Sequence, residues 1–135
     1  MRSASRLASL LTLLLAGDPF ASRADDLYVI CHPSVSVSPA DLRDVFLGEK
    51  QFSGTIRLTP AENRAAQSEF LDKVLKMTPE KYLTAWTKKS FRDGVNPPPV
   101  NSSDAEAREF VRRVAGSCSY TTTDPGPGVT IAAKF

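Results

Sequence analysis

Hydrophobic positions in this chain switch between two spacings, and each switch marks an element. Residues 26–31, Asp-Leu-Tyr-Val-Ile-Cys, form a near-continuous apolar run bounded by Asp25-Asp26 and His32-Pro33, the pattern of a buried strand. After a connector, Ser38-Pro39-Ala40-Asp41 places an N-cap serine, a first-turn proline and an acid ahead of Leu42, Val45 and Phe46. That i, i+3, i+4 spacing predicts a short helix with one buried face, ended by Gly48. Residues 55–58, Thr-Ile-Arg-Leu, predict a second strand. Thr59-Pro60-Ala61-Glu62 then combines a capping-box threonine with a proline suited to the first helical position. A long amphipathic helix over 60–77 is expected behind it, with Ala66, Phe70, Val74 and Met77 on one stripe and Leu71 and Leu75 widening it.

A third start, Thr78-Pro79-Glu80, opens a helix to about residue 90 that carries Leu83 and Trp86 inward. Residues 91–102 are rich in Gly, Asn and Pro and suit neither a helix nor a central strand. Ser103-Asp104-Ala105-Glu106 is a second full capping box, followed by Ala107, Phe110, Val111 and Val114 at helical spacing and by Gly116. Residues 117–122 predict a third strand, 124–128 a turn, and 129–132 a fourth, short edge strand. Strands that alternate with helices favour a sheet with parallel members and covering helices in one domain.

Export changes the charge balance. Arg2 and Arg6 precede an apolar stretch at 7–17, and Ser22-Arg23-Ala24 offers small residues at the −3 and −1 positions. A cleaved signal peptide at 1–24 and a mature domain at 25–135 are expected, with an uncleaved anchor as the competing reading. The apolar stretch is short for a membrane span, so membrane contact is expected only during export. The full chain has 17 basic and 15 acidic residues, and the leader holds three of the former and one of the latter, which leaves the domain near neutral. No basic footprint for nucleic acid remains. Both cysteines, Cys31 and Cys118, fall in the exported part, where a disulfide and two buried free thiols are both open readings.

The order of these pieces resembles the small, single-lobe relatives of periplasmic phosphate-binding proteins of the ABC transporter type. Ser38-Pro39-Ala40-Asp41-Leu42-Arg43-Asp44-Val45-Phe46-Leu47-Gly48-Glu49-Lys50 is similar to that family's helix followed by I/V-F-x-G-K. Phe70 and Leu71, the run from Trp86 to Gly94 with Pro97-Pro98 after it, and the stretch from Ser103-Asp104 to Gly116-Ser117-Cys118-Ser119-Tyr120 are similar to later segments of the family. The resemblance implies an α/β fold: a single three-layer lobe of the type II periplasmic-binding-protein kind, with a central mixed, mostly parallel sheet of about four strands. It further implies a periplasmic solute-binding-like protein with phosphate or another small oxyanion as ligand, serving an ABC-type uptake or sensing system. A membrane transporter or another envelope protein is the implied partner.

Candidate chemistry is sparse. For an anion, the candidates are Thr59, Asn63 and Arg64 at the expected helix start, with Ser34 and Ser36 after the first strand; Arg64 could grip an oxyanion with two parallel bonds. Against this, Pro60 lacks an N–H and Glu62 adds a negative charge at that place, so Thr59 and Glu62 capping one another is the competing reading. Lys88, Lys89 and Arg92 surround Phe91 beside the Pro-rich loop. They read as a partner patch or as cations that complement the helix dipole, whereas Trp86 and Phe91 are expected in the core. An envelope protein-interaction module that reuses the lobe as a scaffold is the alternative function. His32 is the only histidine, which suits a turn better than a metal centre. No nucleophile elbow, zinc-binding, phosphate-loop or Cys-x-x-Cys motif occurs. Neither catalysis, metal nor cofactor is expected.

Overall fold

The sheet is built around the first apolar run. The computed structural model describes residues 26–135, so the expected leader at 1–24 lies outside the described residues. Strand β1 (Tyr28–Cys31) leads through a 3-10 turn (Pro39–Asp41) into α1 (Leu42–Phe46). The hairpin β2 (Phe52–Ser53) and β3 (Ile56–Arg57) follows, then β4 (Thr59–Pro60) and β5 (Glu62–Asn63). Helix α2 (Gln67–Phe70) continues as a π-helical turn (Leu71–Leu75), and α3 (Pro79–Asp93) and β6 (Val100–Asn101) come next. Helix α4 (Asp104–Arg113) and strands β7 (Ser117–Thr121) and β8 (Thr130–Lys134) complete the order.

The four-stranded sheet runs β4-β7-β1-β8. It is mixed, as expected, but mostly antiparallel: β1 pairs antiparallel with both β7 and β8, and only β4 and β7 run parallel. A parallel pair needs a long crossover, and the segment from β5 to α4 supplies one, between β4 and β7. A second parallel pair, β5 with β6, forms a separate two-stranded ribbon.

Register places Cys31 directly opposite Cys118, and a disulfide joins them across 87 residues of sequence. For a loop of that length the chain-entropy contribution is about 4–5 kcal/mol. On β7 the side chains alternate. Cys118 and Tyr120 join the apolar cluster, whereas Ser117 turns to α4 and donates its hydroxyl to the Val114 carbonyl at 2.6 Å. The cluster centres on three rings. Phe70 stacks on Tyr120 at 4.0 Å between centroids, and Phe46 meets Phe70 edge-on at 4.6 Å. Such pairs add about 1 kcal/mol each beyond the area they bury.

Three expectations fail. The helix expected from residue 60 begins at Gln67, because Thr59, Pro60, Glu62 and Asn63 are taken into sheet pairings. The Thr59 N–H donates to Gly116 and the Ala61 N–H to Cys118 across the β4–β7 edge; Pro60, between them, loses nothing by lacking an N–H on an edge strand. The stripe beyond it holds in part: Ala66, Phe70, Leu71 and Leu75 are buried, while Val74 and Met77 are half-buried against the core. On α3 the buried positions are Tyr82, Trp86 and Lys89, so Leu83 lies about 100° round the helix from Tyr82 and is 68% exposed. Trp86 is core, as expected, but Phe91 is 89% exposed and is not. The helix is correctly capped all the same, with Thr78 Oγ1 accepting from the Lys81 N–H and Gly94 closing it in the left-handed region.

Candidate functional site

The α1–β2 turn is pressed onto α3 at a single glycine. Gly48 has φ +72, and a Cβ added there would lie 2.8 Å from both Lys89 Cε and Trp86 Cη2. Only glycine tolerates that backbone and that approach. Trp86 is pinned in turn by its indole N–H, which donates to the Phe46 carbonyl at 3.2 Å. The proline segment after α3 is anchored by the Glu62 N–H donating to the Pro99 carbonyl at 2.8 Å. Two cavities share Trp86, Pro97 and Pro98 in their walls.

The first cavity, about 280 Å³, is lined by Lys50, Arg57 and Lys89, with Thr59, Gln51 and Asn96 as further polar residues and no carboxylate in its wall. Lys89 is only 5% exposed. Its ammonium lies 3.1 Å from Asp93 Oδ2 and 3.8 Å from Glu49 Oε2. Asp93 also accepts from Arg92 at 3.0 Å, and the Arg92 guanidinium, then Lys89, hold its carboxyl down to about 2.

The second cavity, about 260 Å³, includes Glu62, Gln67, Tyr82 and Leu83 and no cationic side chain. Glu62 is buried on β5, and loss of water pushes its carboxyl above the usual range, with Tyr82 and Gln67 pulling it back. The Tyr82 hydroxyl is buried beside the Glu62 carboxylate, and burial together with Glu62 drives it far above the ordinary tyrosine value.

The five anion candidates do not converge on one place. Thr59 reaches the first cavity. Ser34 Oγ accepts from the Gly116 N–H at 3.0 Å and meets His32 Nδ1 at 2.7 Å, which ties the β1 exit to β7. The Ser36 backbone is paired with the Ser53 hydroxyl. Asn63 is fully buried: its amide donates to Asp104 Oδ1 at 2.7 Å and to the Tyr120 carbonyl at 2.9 Å, and its oxygen accepts from the Ala65 N–H. Arg64 is exposed, and its N–H joins the β5–β6 ribbon. Of the partner-patch residues, Lys88, Phe91 and Arg92 are exposed while Lys89 turns into the first cavity. Sequence reasoning missed Lys50 and Arg57 there, and Glu62 with Tyr82 in the second cavity. One signal for Arg57 was available, as a cation inside an otherwise β-like run.

No protein-family model and no curated protein matches the chain. Among solved structures it is similar to an ABC-type phosphate transport receptor from Vibrio cholerae, at 12% identity and a TM-score of 0.47, over 79% of this chain and 45% of the receptor. The chain therefore spans less than half of that receptor's length. A likeness this slight assigns neither a family nor a ligand.

Proposed function

We propose that this protein is an exported, non-catalytic binding module whose first cavity takes a small oxyanion, with phosphate the first to test, in an uptake or sensing role at a membrane transporter. The observation that carries this reading is the wall of that cavity: three cations, a threonine and two amides, with no acid among them. Arg57 is suited to two parallel bonds with an oxyanion, and Lys50 adds a second charge beside it, whereas Lys89 is already paired with Asp93 and Glu49. The cavity is open on one side, so affinity in the micromolar-to-millimolar range is expected, on the order of 4–8 kcal/mol of binding free energy. The Cys31–Cys118 disulfide suits an oxidising compartment such as the periplasm.

Calorimetry with phosphate, sulfate and short carboxylates tests the reading. Arg57→Ala and Lys50→Ala should each weaken binding about tenfold, and Arg64→Ala should leave it unchanged. No heat at millimolar anion, or sensitivity to Arg64→Ala alone, would overturn the cavity as the site.

A second reading, the lobe as a docking scaffold for another envelope protein, is favoured by α3, which leaves Leu83 68% and Phe91 89% exposed. Under it, Phe91→Ser should abolish co-purification of that protein without lowering the melting temperature; retention of the complex would count against it.

A further inference from the structure

We propose that the second cavity is a binding site for a small organic ammonium ion, held by the Glu62 carboxylate against the rings of Tyr82 and Trp86. This inference does not rest on the oxyanion reading, and its residues other than the shared wall are different.

Two groups in the cavity lack what burial normally requires. Glu62 is 8% exposed, and the side chains that act on its carboxylate, Tyr82 and Gln67, are both neutral. A carboxylate taken out of water is costly unless it meets a positive charge or a full set of hydrogen bonds. Tyr82 is 7% exposed, and its hydroxyl makes no well-formed hydrogen bond, with the Glu62 carboxylate as its polar neighbour. A buried hydroxyl left so is uncommon in a native fold. A ligand with a positive charge and an N–H satisfies both: the charge meets Glu62, and the N–H can be accepted by the Tyr82 oxygen.

The rest of the wall suits the organic part of such a ligand. Tyr82 and Trp86 offer aromatic surface, to which a desolvated cation is attracted, and Pro79, Leu83, Pro97 and Pro98 are apolar. A metal ion fits poorly. Among the described residues no group of three His, Cys, Asp or Glu side chains could hold one, and hard cations require several oxygen ligands. The backbone that carries the carboxylate is fixed, since Glu62 sits in the β5–β6 ribbon with its N–H bonded to Pro99.

Trp86 is the only tryptophan in the chain and therefore reports on this cavity. The experiment titrates the full chain with methylammonium chloride and, separately, with tetramethylammonium chloride, at ionic strength held constant with sodium chloride, while following Trp86 emission. Both should give saturable changes that sodium chloride alone does not. Glu62→Gln should weaken both about tenfold or more. Tyr82→Phe, which keeps the ring, should weaken methylammonium and spare tetramethylammonium, which has no N–H to offer. No saturable change up to about 0.1 M of either ion overturns the proposal, as does a Glu62→Gln variant that binds both as the natural protein does. If Glu62→Gln fails to fold, the Tyr82→Phe variant decides: equal behaviour toward the two ions counts against the site. Phosphate titration of the Glu62→Gln variant keeps the two cavities distinguishable, because anion binding there should persist.

Discussion

The cavity at Lys89 and the cavity at Glu62 share a wall and differ little in size, yet they bury opposite charges in opposite circumstances. Lys89 carries its own compensation: Asp93, one turn further along α3, and Glu49 across the α1–β2 turn. Glu62 has only neutral groups acting on it. A buried charge balanced within its own helix is part of the frame, and an anion placed beside it must compete with Asp93. A buried carboxyl facing only neutral groups is met by Tyr82, Gln67 and a tighter hold on its proton rather than by a counter-charge. A cavity with more charge in its wall is therefore not necessarily the one with the stronger demand for a ligand.

Three changes separate the two cavities by experiment. The largest effect should come from replacing Cys31 and Cys118 together by alanine. The variant removes the cross-link between β1 and β7 and leaves the backbone bond from the Ala61 N–H to the Cys118 carbonyl in place. Chemical denaturation should show a loss of about 4 kcal/mol, with ligand binding at both cavities reduced only as far as the folded population falls. Next is Trp86→Ala, which removes the shared wall. A loss of about 3 kcal/mol is expected, with both ligand responses abolished together, read by calorimetry because the fluorophore is gone. If one response survives, the wall is not common to both.

The smallest effect concerns pH, and here the two cavities should differ in sign. Glu62 titrates higher folded than unfolded, so the folded form holds the extra proton, and its contribution to stability declines as pH rises from the ordinary carboxyl value through the raised one. Asp93 is held down to about 2, so its contribution is present above the ordinary carboxyl value and disappears as pH falls from about 4 toward 2. Melting curves between pH 2 and 7 should show that Glu62→Gln gains stability relative to the natural chain as pH rises. Asp93→Asn should be weaker at neutral pH and converge with it in acid. Parallel curves for both variants would erase the distinction.

Strong local periodicity made much of the fold legible. Strands β1 and β7, helix α4 and the capped start of α3 follow from runs and caps that nothing distant contradicts. The stretch at 59–66 was not legible, because Thr-Pro-x-Glu serves a helix cap and an edge strand equally well. What decided between them was β7, far along the chain, accepting hydrogen bonds from Thr59 and Ala61. The parallel bias expected of the sheet failed for a related reason: alternation of elements does not reveal that β1 lies between the last two strands. Site residues were legible only one at a time. Thr59 and Lys89 were both noticed, in separate groups, and only tertiary contact sets them in one wall with Lys50 and Arg57. Nothing local distinguishes a glutamate that caps a helix from one that closes a cavity.

The place of β1 has a consequence for the order of assembly. Its neighbours on both sides, β7 and β8, come from residues 117–134, about 90 to 100 residues downstream. Contacts so distant in sequence form slowly, and the centre of the sheet cannot close until that segment has been made. Strand β1 is thus made well before its partners and stays unpaired until both have emerged.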